Sequence, residues 1–155
     1  MRRLLAALVV TGCSDPAPCY DGAATFGDIQ AQVFDRSCNK FSVCHGPGAG
    51  TSVGELNLCG PDSPACEGDP GNSYDALVGA FASCEHGPRD PDDPSCVPDE
   101  TVRVVPGDPD ASYLWRRLTG DGLGADVERM PYNSPPLCGE ALDAIREWIE
   151  AGAAN

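Results

Sequence analysis

Two thiols and an imidazole are gathered in the stretch "DRSCNKFSVCHGPG", residues 35–48, where Cys38 precedes Cys44 and Cys44 runs directly into His45. The attachment signal for haem c is C-x-x-C-H, in which two cysteines form thioether bonds to the porphyrin and the histidine binds its iron. Here five residues lie between the cysteines instead of two. A longer loop still brings both sulfurs to the vinyl carbons if it bulges outward, and its closure cost grows by only about 0.6 kcal/mol per doubling of length. Attachment through Cys44 alone is a second form of the same chemistry. The competing reading is a Cys38–Cys44 disulfide with His45 at the surface, because a five-residue gap suits a bridge sterically.

A further soft ligand is present. Apart from the initiator, Met130 is the only methionine, and it stands in Arg129-Met130-Pro131. A thioether favours ferrous iron and raises a haem potential. Other chemistries find less in the chain. Structural zinc draws on C-x2-4-C knuckles, and none occurs. No G-x-S-x-G or H-E-x-x-H motif is present, and the carboxylates mark no acid–base pair. His86 and the "DPDDP" run sit in an acidic, proline-rich stretch that reads as a solvated loop. Its prolines break the alternating oxygen spacing of calcium loops.

Helices must carry these groups. Thr25 and Asp28 form a T-x-x-D cap. Phe26, Ile29 and Val33 then share one face with Phe34 beside them, predicting a helix to about Asp35 that delivers the chain to Cys38. A short helix is expected over Ser73–Val78 with Gly79 as its stop. Asp108 suits an N-cap and Pro109 the first turn of a third helix. Leu114, Trp115 and Leu118 form its apolar stripe, Arg116 and Arg117 its last turn, and Gly120 its end. The last helix spans 140–150, with Ala141, Ile145 and Trp148 on one face and Leu142 and Ile149 flanking. Trp115 and Trp148 read as core residues. Only a short extended piece is expected, at 102–105.

The 155-residue chain suffices for one modest core. With 18 Gly and 15 Pro, it predicts short helices joined by long loops. Its net charge of −14 repels nucleic acid and anionic lipid and favours basic partners. The N-terminus "MRRLLAALVVTGCSD" has a basic start and a short apolar run, too short for a span of roughly 20 residues. It reads as an export signal over residues 1–12 that ends in a lipobox-like Val10-Thr11-Gly12-Cys13. Cys13 is then the lipidated first residue of a tether reaching to residue 24. The short leader is consistent with a start further upstream. Nine cysteines place the chain in an oxidising compartment, and lipidation of Cys13 leaves eight. Cys59 with Cys66 suggests a local bridge, and Cys84 with Cys96 pins the acidic loop.

The stretches "TFGDIQAQVFDRSC…CHG" (25–46), "YDALVG" (74–79), "RVVPGDPDASYLWRRL" (103–118) and "RMP…PPLCGEALDAIREWIEAG" (129–152) resemble the small class I cytochrome c domains of exported bacterial lipoproteins. The resemblance implies a mostly α cytochrome c-like domain over 25–155, with long disulfide-stapled loops. It implies a haem c with His45 as proximal and Met130 as distal iron ligand, thioether attachment at Cys38 and Cys44, and a wall of Phe34, Leu77, Leu114 and Leu118. Its function would be one-electron transfer with a basic or metalloprotein redox partner, at the periplasmic or outer-membrane surface. A carrier with both iron positions filled is not an enzyme. With a haem so held, the preferred pairing of the other cysteines is 59–66, 84–96 and 19–138. The alternative is a haem-free, disulfide-stapled binding or structural module of the cell envelope that keeps the same helices. A subunit of a larger exported oxidoreductase is a third option.

Overall fold

The computed structural model describes residues 19–39, 44–47, 55–66, 72–82, 101–125 and 127–155. The expected export signal, Cys13, and the Cys84–Cys96 loop with His86 lie outside these residues. Among the described residues no helix is long and apolar enough to cross a membrane.

The first helix begins where its cap predicts. Thr25 is extended, and its hydroxyl oxygen accepts from the Asp28 amide. Asp28 returns a carboxylate to the Ala23 amide at 2.9 Å, so donors on both sides of the cap are satisfied. An α-helical turn, α1 (Phe26–Ile29), leads into a π-helical segment (Gln30–Cys38) that carries the helix three residues past the expected end at Asp35. The wide turn has a visible partner in the sequence. Gln30 and Asp35 are five residues apart, which on an α-helix separates them by about 140° around the axis. A π-helix, bonded i to i+5, brings them over one another, and Gln30 Nε2 donates to Asp35 Oδ1 at 2.6 Å.

Three α-helices follow: α2 (Ser73–Leu77), α3 (Tyr113–Thr119) and α4 (Gly139–Glu150). Asn72 caps α2 by accepting from the Asp75 amide. The third helix starts four residues later than Asp108 and Pro109 suggest. Asp108 instead caps a tight turn, accepting from the Ala111 amide at 3.0 Å. Ser112 then ties that turn down, accepting from the Val105 amide at 2.9 Å and donating to the Asp108 carbonyl at 2.7 Å. Gly120 ends α3 with φ of 87°, a left-handed value at which a side chain is strained. The extended piece at 102–105 appears only as isolated bridges, Val78 with Val104, Phe81 with Val102 and Val105 with Asp108, and no sheet is formed among the described residues.

The core gathers the inward faces of these helices. Phe26 meets Trp148 at 5.4 Å, Tyr74 edge-on at 5.2 Å and Phe34 at 6.2 Å. Ile29, Val33, Phe34, Leu77, Leu118, Ile145, Trp148 and Ile149 are all buried, which bears out the apolar stripes of the first and last helices. Trp148 Nε1 donates to the Ala154 carbonyl at 2.7 Å and Tyr74 to that of Ala153 at 2.8 Å. Trp115 is half-buried, with the Arg146 guanidinium 5.3 Å over its ring.

Among the described residues, two disulfides staple this small, mostly α-helical domain. Cys19–Cys138 joins the approach to α1 to the start of α4 across 119 residues, and Cys59–Cys66 closes a local loop of 7. Loop-closure entropy assigns about 5 kcal/mol to the first and about 2.5 kcal/mol to the second. Urea unfolding under non-reducing conditions checks the order. The double substitution Cys19→Ala/Cys138→Ala is expected to cost roughly twice as much stability as Cys59→Ala/Cys66→Ala.

Candidate functional site

The thiol–imidazole cluster sits where the π-helical segment ends. Cys38 is its last residue, and its carbonyl accepts from the His45 amide at 3.0 Å. The chain therefore returns to the helix terminus at His45, immediately after Cys44. The His45 carbonyl accepts from the Leu58 amide at 2.8 Å, and His45 Nδ1 lies 3.1 Å from the Leu56 carbonyl. A carbonyl only accepts, so Nδ1 carries the proton.

A polar network behind the cluster holds the loop 55–63 against the helix. Gln30 Nε2 donates to Asp35 Oδ1 and to the Leu58 carbonyl, at 2.6 and 2.9 Å. Asn39 Nδ2 reaches the same two acceptors at 2.7 and 3.0 Å. Ser63 donates to Asp35 Oδ1 at 2.6 Å, and Ser73 to Gln30 Oε1 at 2.7 Å. One carboxylate oxygen thus collects three donors from three separate positions. Gly60 packs so closely that a Cβ there would stand 3.0 Å from the Gln30 side chain. The donors of this network are satisfied, while the buried Asn39 Oδ1 accepts from no partner among the described residues.

Burial and charge set the chemistry of the cluster. Burial is the main cause that pulls the His45 imidazole below its ordinary value. The Leu56 hydrogen bond opposes that shift, and the Arg117 and Arg103 guanidiniums add to it. Arg103 and Arg117 are both buried. Arg103 donates to the Ala76 carbonyl at 3.0 Å, and Arg117 to the Tyr113 hydroxyl at 3.3 Å. The Cys38 thiol is pushed up to about 12, first by burial and then by Cys44 and Asp35. Cys38 and Cys44 are half-buried and carry no disulfide, so the bridge expected between them in the haem-free reading is open.

The haem and iron-binding expectation is overturned here. Among the described residues no group of three or more His, Cys, Asp or Glu side chains is placed to hold a metal ion. The surroundings of His45 agree, since two guanidiniums beside an imidazole oppose a further positive charge. The structure does bring Cys38, Cys44 and His45 to one place. Met130 comes from another segment, its amide bound to the Arg117 carbonyl at 2.6 Å and its side chain packed on the core. Haem c, iron ligation by His45 and Met130, thioether attachment at Cys38 and Cys44, and electron transfer through that group are therefore withdrawn. Of the expected haem wall, Phe34, Leu77 and Leu118 are buried within the hydrophobic core and Leu114 packs against it.

Comparison of the chain with models of protein families, with curated proteins and with solved structures found no match.

Sequence reasoning missed the polar network and the two arginines. Gln30, Asp35 and Asn39 interrupt the apolar stripe at spacings of five and four, a signal that helical periodicity alone discards. Arg117 reads as a last-turn residue, and nothing in its neighbours marks it as buried.

Two predictions follow from this geometry. Asp35→Ala strands the donors of Gln30, Asn39 and Ser63 and is expected to cost about 3 kcal/mol in denaturant unfolding. Stability should also fall on both sides of neutrality. Below the ordinary imidazole value of 6.5 the unfolded chain takes up a proton that folded His45 resists. Above the ordinary thiol value of 9.0, and up to about 12, the unfolded chain releases a proton that folded Cys38 keeps. Unfolding measured against pH should lose part of its acid limb in His45→Gln and part of its alkaline limb in Cys38→Ser.

Proposed function

We propose that this chain is a haem-free, disulfide-stapled binding or structural module of the bacterial cell envelope. It is exported and anchored through lipidated Cys13, and it acts by binding a partner. The observation that carries the reading is the pair of disulfides, one of which ties the two ends of the helical domain together across 119 residues. Such bridges form and persist in an oxidising compartment. The helices that resemble a class I cytochrome c are kept as a scaffold, and the core fills the space between them. The lipobox-like Val10-Thr11-Gly12-Cys13 supports the anchor. A net charge of −14 supports a basic protein partner steered by long-range attraction.

Expression of the full chain in a bacterial envelope tests the reading. Intact mass is expected to show a diacylglyceryl group that Cys13→Ser loses, the Cys19–Cys138 and Cys59–Cys66 bridges, and no porphyrin. A lysine-rich basic peptide should bind with an affinity that falls severalfold as salt rises from low to physiological strength. Recovery in the cytosol with reduced cysteines, or salt-independent binding, would overturn it.

A further inference from the structure

Four of the six described cysteines are joined in pairs, yet Cys38 and Cys44 stand as thiols in the same molecule. They are not distant. The His45 amide bound to the Cys38 carbonyl folds the chain back on the helix terminus, so both thiols belong to the closure of one loop. Cys38 feels the charge of Cys44, and both residues are half-buried. Cys38 is fixed to a helix that the Asp35 network holds, whereas Cys44 lies on the returning loop.

We propose that Cys38 and Cys44 form a reversible dithiol–disulfide couple that exchanges with a disulfide-bearing protein, while the Cys19–Cys138 and Cys59–Cys66 bridges stay closed. The site and its partner chemistry stand apart from the binding role above and do not depend on it.

Cys44 is the attacking group. Burial keeps Cys38 protonated and makes it the poorer nucleophile. As a thiolate, its proton given to solvent, Cys44 attacks one sulfur of the partner's disulfide. That S–S bond breaks, and the expelled partner thiolate takes up a proton. Cys38 then gives up its proton and attacks Cys44 Sγ. The mixed disulfide breaks, the Cys38–Cys44 bond forms, and the partner's second sulfur leaves as a thiolate that is protonated in turn. The chain loses two electrons and two protons, and the partner's disulfide gains both to become two thiols.

The test is a redox titration of the full-length folded protein in glutathione buffers of graded ratio. Free thiols are trapped with a maleimide mass tag and assigned by peptide mapping. The Cys38–Cys44 pair should open and close reversibly at a reductant concentration at least tenfold below that which opens the other two bridges. Cys38→Ser should accumulate a glutathione adduct on Cys44, and Cys44→Ser should form at least tenfold less adduct on Cys38. Opening of all three bridges together, oxidation only to intermolecular dimers, or equal adduct formation in both variants would overturn the proposal. The titration of the unmodified chain decides the matter even if a variant fails to fold.

Discussion

Phe26 against Trp148 is the contact on which the other elements depend. It sets the first helix on the last, and Tyr74 and Phe34 close around the same ring. The Cys19–Cys138 bridge holds the approaches to those two helices together, so the contact survives in a chain whose aromatic content is only 6%. A core this small has little surplus burial energy. The covalent tie acts mainly on the unfolded chain, by removing much of its freedom to separate the two ends. With both helices set, Gln30 faces inward, the helix widens to bring Asp35 over it, and the loop through Leu58 is held in place.

From that loop the chemistry of the cluster follows. Leu56 and Leu58 bind His45 through its ring and its backbone, and His45 in turn binds the end of the helix at Cys38. Each of these bonds satisfies a group that would otherwise be costly to bury. Their common effect is an imidazole held neutral with a known tautomer, next to a thiol held protonated. A protonated thiol is a poor metal ligand, and the guanidiniums of Arg103 and Arg117 oppose a further positive charge beside His45.

Much of the helical frame was legible from residue spacing. Thr25 with Asp28, the stripe from Phe26 to Phe34, Gly120, and the face of Ala141, Ile145 and Trp148 all behave as their types and positions predict, because capping and burial act within one turn. Asp108 misled for a local reason: a good N-cap residue also caps a turn, and Ser112, four residues on, took the helix start. The pairings 59–66 and 19–138 are also found. The π-helical widening and the burial of Arg117 were not legible, since each depends on groups brought from other segments. The haem reading failed at the same level. Residue types at suggestive positions do not state what surrounds them, and here the surroundings of His45 are cationic.

The same distinction separates the three cysteine pairings among the described residues. Cys19 with Cys138 and Cys59 with Cys66 join segments that core packing or a short loop already holds close. Cys38 and Cys44 are placed by the His45–Cys38 backbone bond, which satisfies that loop without a covalent link. A bridge there would close a loop about as short as that of Cys59–Cys66, so loop length does not separate the two pairs. Burial does: Cys59 and Cys66 are shut away from solvent, whereas Cys38 and Cys44 are half-buried. A half-buried pair, beside a helix that other bonds hold, lacks that protection, which is the physical condition for a labile thiol pair.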